Sequence, residues 1–277
     1  MQGVAAATLQ GWAMPALGMP WWDHTYVESS CGLRWGCFGR DSGGSAGLSS
    51  GIGSSTIAHC LSEPNSTAGL RNRRTGVCHQ AANRILHPAG VTVFGCRGYG
   101  ASTFRYNVYG KDNNNWAQKL ALCYNPIATM PSQAAGGPPM PQSRNVLERI
   151  RVYNRKVTAA YTQGETMEST RMAELSALAE MALGEPLDRE TLAALFAIQS
   201  DLQRAESGLE AKFDAGEMTP DQYLQRTDAE FLVAMKRSQE LLGHERFRVI
   251  FGDEALRPEG MTDRDAFMKD IAGKRER

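Results

Sequence analysis

No stretch of the chain approaches the roughly 18 consecutive apolar residues of a membrane-spanning helix, so no segment reads as a transmembrane span. Nor is there an excess of either charge. The 30 Lys/Arg are matched by 30 Asp/Glu, which argues against the basic surface of a nucleic-acid binder or of a protein held on an anionic membrane. The six cysteines, Cys31, Cys37, Cys60, Cys78, Cys96 and Cys123, include no CxxC pair. A chain of this length needs no disulfide framework, although an even count leaves disulfides open. There is no GxxxxGK[ST] phosphate loop. The first residues, Met1 to Pro20, lack a basic leader region, and Gln10, Gly11 and Pro15 break their apolar run. They read as an extended arm, which makes a reducing cytoplasm the default compartment; a trimmed N-terminus would instead point to a secreted or periplasmic protein.

What is present is unevenly distributed. All six cysteines, all five tryptophans and four of the five histidines precede Arg144. The first 143 residues hold 10 Lys/Arg against 5 Asp/Glu, leaving 20 against 25 in the remainder. With 277 residues, two units are expected. The expected boundaries are an α+β domain over 1–124, a linker over 125–143 with five prolines and Gly136-Gly137, and an all-α domain over 144–277. In that last domain apolar residues recur at three and four through Val146–Val157, Met172–Ala182 and Leu192–Leu202, the helix period. Asp188 can cap the third of these. Thr219-Pro220-Asp221-Gln222 starts a fourth helix that runs to Gly243, and Phe247–Gly252 packs back on it. Without cysteine and with a single histidine, this half is expected to organise, to bind a protein partner or to dimerise through residues 144–255.

Before the linker, Trp21 to Tyr26 reads as an aromatic cluster packed on the domain. Leu33–Gly39 and Ser55–Leu61 read as strands, the second placing His59 near its end. Asp41–Ser55, rich in glycine and serine, reads as a flexible loop. Val91–Arg97 and Phe104–Gly110 are expected to pair as a hairpin turning at Gly98-Tyr99-Gly100.

The chemistry centres on Thr75-Gly76-Val77-Cys78-His79-Gln80-Ala81-Ala82-Asn83-Arg84-Ile85-Leu86. This is a glycine-hinged turn that delivers a cysteine to the first turn of an amphipathic helix ending near His87-Pro88. First-turn N–H groups lack intrahelical acceptors, and the helix dipole is positive there, so a thiolate at Cys78 is stabilised. The nucleophile needs a base. His79 is disfavoured, because neighbouring helical side chains diverge by about 100 degrees, and His87 lies about 13 Å along the axis. That leaves His59. Gln80 and Asn83 are the polar groups placed to orient the base or to donate to an oxyanion, with the N–H groups of Val77, Cys78 and His79 as backbone donors. Arg73, Arg74 and Tyr106 are the expected substrate contacts.

A cysteine opening a helix against a sheet, with the histidine on a strand that precedes it, resembles the papain-like superfamily. The histidine-before-cysteine order is most similar to the circularly permuted NlpC/P60 and lecithin:retinol acyltransferase-like group. The resemblance spans His59 to Tyr109, with Cys78 as nucleophile and His59 as base. It implies a papain-like α+β domain with a small antiparallel sheet. It also implies cofactor-free hydrolysis or transfer of a peptide, amide or acyl group through a thioester. Two other readings stand beside it. In one, the protein is a scaffold acting through its helical half. In the other, His59, Cys60, Cys78 and His79 bind zinc, which accepts two cysteines and two histidines, although neighbours on a strand face opposite sides.

Overall fold

The computed structural model describes residues 7–16, 19–29, 34–36, 39–40, 48–56, 70–71, 73–87, 92–111, 144–162 and 166–261, together with 264, 267, 268 and 271. Most of these residues are helical. The expected linker 125–143 and His59-Cys60 lie outside them.

The N-terminal stretch is not an arm. It forms β1 (Ala7–Ala16) and β2 (Met19–Ser29), a hairpin in antiparallel register. Short strands β3 (Arg34–Gly36) and β4 (Gly39–Arg40) follow, then β5 (Leu48–Thr56). The sheet order is β4-β3-β2-β1-β5. The second part of the Gly/Ser run is therefore an edge strand paired with β1. Small residues weaken a strand without forbidding it when a partner supplies the ladder.

Helix α1 (Cys78–Leu86) packs on β2. Its cap residue, Val77, is extended and has no side-chain acceptor to offer. Instead, the Val77 N–H donates to Gln80 Oε1 at 3.1 Å. The expected hairpin does not form. Residues 94–98 are turns, and Tyr99–Tyr106 is a second helix, α2. Gly98, at φ 81°, caps α2 in the left-handed region, with the Trp22 ring where a Cβ would stand. Gly100 brings α2 against the backbone of residue 250, since a Cβ there would lie 2.0 Å from the Ile250 carbonyl oxygen.

The second half forms α3 (Arg144–Thr162), α4 (Met167–Leu183), α5 (Arg189–Asp214), α6 (Pro220–Leu242) and α7 (His244–Phe251), then two 3-10 turns over Asp253–Leu256 and Pro258–Met261. The caps read from the sequence are in place. Asp188 Oδ1 accepts from the Thr191 N–H at 2.8 Å, and Thr219 and Gln222 close a reciprocal capping box around Pro220. No helix among the described residues is long and apolar enough to cross a membrane.

The two expected units share one core. Val77, Leu86, Phe104 and Tyr106 from the first half pack in the same buried cluster as Leu178, Leu195, Phe231 and Phe251 from the second. Ion pairs cross the same boundary. Arg73 and Arg105 meet Asp228, Arg105 and Lys111 meet Glu206, and Arg74 meets Glu210 and Asp214.

Candidate functional site

Strand β3 pairs with β2 only at Val27 and Glu28. Towards its N-terminal end, β2 instead meets the start of α1 and the turn at 95–98. The Asp23 N–H donates to the Arg97 carbonyl at 3.3 Å, and the Cys78 thiol donates to the Asp23 carbonyl at 3.7 Å. The carbonyl of one strand residue and the N–H of the residue two further on face the same edge. The Cys78 sulfur therefore occupies the place that a partner strand would fill, with Asp23 C=O on one side and Thr25 N–H on the other.

Between these two backbone groups lies His24. Burial pushes the Cys78 thiol up, and this is the largest single influence on it. It is outweighed by the hydrogen bond and charge interaction with the His24 ring and by hydrogen bonds from the Thr25 backbone and side chain. The net effect lowers the thiol below its ordinary value. The His24 ring stacks on Tyr26, with centroids 6.2 Å apart and 22° between planes. Beneath the site, Asp23 is held by Arg97 through the backbone N–H at 2.8 Å, Nε at 3.0 Å and Nη2 at 2.7 Å.

Cys96 makes the contrast. Its thiol donates to the Val93 carbonyl at 2.9 Å, and burial, followed by the charge of Cys78, pushes it well above the ordinary range. The two sulfurs are shifted in opposite directions, so Cys78 is the one more readily ionised and the more reactive of the two.

The other expected site residues are placed differently. His59 lies outside the described residues; among the described residues the histidine that acts on the Cys78 thiol is His24. Gln80 and Asn83 are buried and occupied. Gln80 Nε2 donates to the Asn107 carbonyl at 3.1 Å. Asn83 Nδ2 donates to the Val108 carbonyl at 2.9 Å, and its Oδ1 accepts from the Val93 N–H at 2.9 Å. Arg84 continues the pattern onto the Tyr109 carbonyl. Side chains at successive positions of one helix face thus hold three consecutive carbonyls, a clamp that fixes the segment after α2 and leaves neither amide free for an oxyanion. Because the Val77 N–H is bonded to Gln80, the backbone donors left at the helix start are those of Cys78 and His79.

Arg73, Arg74 and Tyr106 do not contact the site either. Arg73 is buried against Asp228, and burial first, then the Arg105 charge, lowers it to about 10. Arg74 is paired with Glu210 and Asp214. The Tyr106 hydroxyl donates to the Arg73 carbonyl at 3.0 Å. These residues join the two halves. His79 is buried among the same groups that border the sulfur, with the Asp23 backbone and carboxylate and the His24 ring near it. Its Nδ1 bonds Ser102 Oγ at 2.7 Å, and burial lowers it to about 4.

No cluster of three or more His, Cys, Asp or Glu side chains placed to hold a metal is found among the described residues. His24 and Thr25 were hidden in a segment whose flanking tryptophans and tyrosine read as packing. Trp22 and Tyr26 do pack, while Trp21 is 52% exposed. The available signal was alternation, because it puts His24 on the same strand face as Trp22 and Tyr26, the face against which a helix would lie. No protein-family model, curated protein or solved structure matches this chain.

Proposed function

We propose that the protein is a cysteine-nucleophile hydrolase or acyl/amide transferase. Cys78 is the nucleophile, His24 the base, and the substrate a peptide, amide or acyl compound. The observation that carries this reading is the placement of Cys78 at the start of α1 with its thiol 3.7 Å from the Asp23 carbonyl, next to His24 on β2; the His24 interaction acts to lower the thiol against the opposing effect of burial. A helix-opening cysteine beside a strand histidine also supports the papain-like resemblance, with His24 in the role first given to His59.

In the reaction the Cys78 S–H bond breaks and its proton passes to the His24 ring. The thiolate attacks the carbonyl carbon, and the Cys78 and His79 N–H groups at the start of α1 are the natural donors to the oxygen that gains charge. The protonated His24 then gives its proton to the departing amine or alkoxide, leaving a thioester. Water or a second nucleophile, deprotonated by His24, attacks that thioester. The acyl product leaves and the thiol is restored.

The test is iodoacetamide labelling of the full-length chain near neutral pH, read by peptide mass spectrometry. Cys78 is expected to label ahead of Cys96, with the Cys78 signal absent in Cys78→Ala and slowed at least tenfold in His24→Ala. Equal labelling across the cysteines, or unchanged labelling in His24→Ala, overturns the assignment.

A further inference from the structure

Asp23 and Arg97 are joined by more bonds than an ion pair needs. The carboxylate accepts from the Arg97 backbone N–H at 2.8 Å, from Nε at 3.0 Å and from Nη2 at 2.7 Å, and the Asp23 N–H donates back to the Arg97 carbonyl at 3.3 Å. The Arg97 side chain is 45% exposed, and an exposed salt bridge adds little to stability. What these bonds fix is the Asp23 peptide. The N–H and C=O of one strand residue face the same edge. At Asp23 the N–H goes to the turn at 95–98 and the C=O takes the Cys78 thiol at 3.7 Å, so one residue of β2 ties that turn to the start of α1. The turn is anchored in its own right, because the Gly98 N–H donates to Glu254 Oε1 at 2.7 Å. From it α2 reaches back to α1, where Ser102 Oγ meets His79 Nδ1 at 2.7 Å. β2, the turn, α2 and α1 thus form a ring, closed by the Asp23–Arg97 latch at one joint and the Asp23–Cys78 contact at another.

We propose that Arg97 is a positioning residue of the cysteine site, whose latch on Asp23 holds β2 against the start of α1 with the Asp23 carbonyl on the Cys78 thiol and His24 beside it. The inference rests on Cys78 and His24 acting as nucleophile and base. Arg97 acts through the Asp23 peptide. With the latch broken, β2 is free to slide from the helix start, and the base leaves the reach of the sulfur.

The ionisable groups around the site are Asp23 and His24 on β2, His79 on α1, Cys96 and Arg97 on the turn, and Glu254 on the 3-10 turn that holds Gly98. Charge and position predict opposite signs for one substitution among them. Asp23→Asn removes a negative charge near the sulfur, which by itself makes the thiol easier to ionise. It also breaks the latch, since an amide has one acceptor oxygen where the carboxylate uses two, and a broken latch makes the thiol harder to ionise.

The experiment is the pH dependence of iodoacetamide alkylation at Cys78 in the full chain, comparing wild type, Arg97→Ala, Arg97→Lys, Asp23→Asn and His24→Ala with and without Arg97→Ala. Each of the three latch variants is expected to raise the titration midpoint by about one pH unit, roughly a tenfold loss of rate on the acid limb; lysine keeps the charge and loses the fork. In the His24→Ala background, Arg97→Ala is expected to change nothing further, because the residue it positions is gone. A second tenfold loss in that background marks general loosening and overturns the inference. A wild-type midpoint in Arg97→Lys with a lowered one in Asp23→Asn shows charge at work in place of position, and overturns it too. Latch variants that superimpose on a low wild-type midpoint overturn the inference and leave Cys78 a nucleophile. A wild-type midpoint at the ordinary thiol value of about 8.5 overturns the nucleophile reading, and the Arg97 inference with it.

Discussion

Asn83 and His24 both lie within reach of the cysteine-bearing helix end, yet they do opposite things. Asn83 joins three elements of the surrounding chain: it holds the Val108 carbonyl and the Val93 N–H, and its amide also donates to the Tyr99 hydroxyl at 3.3 Å. Removing it leaves two buried backbone groups unsatisfied, at about 1–3 kcal/mol each. Asn83→Ala should therefore lose about 2–6 kcal/mol in urea denaturation, while the folded fraction keeps wild-type Cys78 alkylation. His24→Ala should show the reverse, with reactivity lost and stability nearly kept. An Asn83→Ala protein that is stable and unreactive would return the asparagine to the catalytic role the sequence suggests. The sequence supports either use of an amide, since a helix-face asparagine beside a nucleophile looks the same whether it holds backbone or orients a base. The deciding quantity is where the carbonyls of residues 107–109 go, and that is set by tertiary packing.

At the scale of elements, α2 is the instructive case. Gly98-Tyr99-Gly100 reads as a turn and Phe104–Gly110 as a strand, yet Tyr99–Tyr106 is one helix and every residue of it is buried. A helix enclosed on all sides shows no polar stripe from which its period could be read. The glycines at its start, which look like a turn, serve as a left-handed cap and as a close approach to residue 250. Gly100→Ala sets two effects against each other. Alanine improves helix propensity by about 1 kcal/mol. Its Cβ would lie 2.0 Å from the Ile250 carbonyl oxygen, a backbone atom that cannot swing aside. The overpacking cost of about 1–3 kcal/mol prevails, so a fall in the urea midpoint is expected, and a rise would show that α2 can shift freely from α7. The helices of the second half are legible for the complementary reason. α5 and α6 are amphipathic helices with ordinary caps at Asp188 and Thr219, and both signals are local. The sheet was legible only in fragments, because its longest strands lie in segments that read as an arm, an aromatic cluster and a loop, and pairing is a non-local property. Cys78 at a helix start was legible from the local Thr75–Leu86 pattern; its partner on β2, far earlier in the chain, was not.

Among the described residues the largest core draws on both expected units and is lined by buried polar groups, and one of these makes stability depend on pH. Glu174 on α4 accepts from the Val108 N–H at 3.2 Å and from the Tyr161 hydroxyl of α3, with Arg171 as the charged group near it. Burial raises its carboxyl from the ordinary 4.5 to about 7. A raised folded-state value means that the protonated form is the one favoured by folding. This contribution is fully present below about pH 4.5 and is lost as pH rises through 7. His79 and His87 act in the other direction. Burial lowers each from 6.5 to about 4, so their contribution is present above pH 6.5 and is lost as pH falls through 4. The two limbs cross, and stability should pass through a maximum in the mildly acidic range. Glu174→Gln keeps a carbonyl oxygen to accept both hydrogen bonds and removes the ionisation. Relative to wild type, the variant should gain about 3 kcal/mol between pH 4.5 and 8, because a tenfold change in proton affinity between the folded and unfolded chain is worth about 1.4 kcal/mol. The loss below pH 6 remains in both proteins. Urea midpoints at pH 4.5, 6 and 8 measure both limbs. Parallel curves for the two proteins across that range would show that Glu174 is already ionised in the fold and that its charge is met by Arg171.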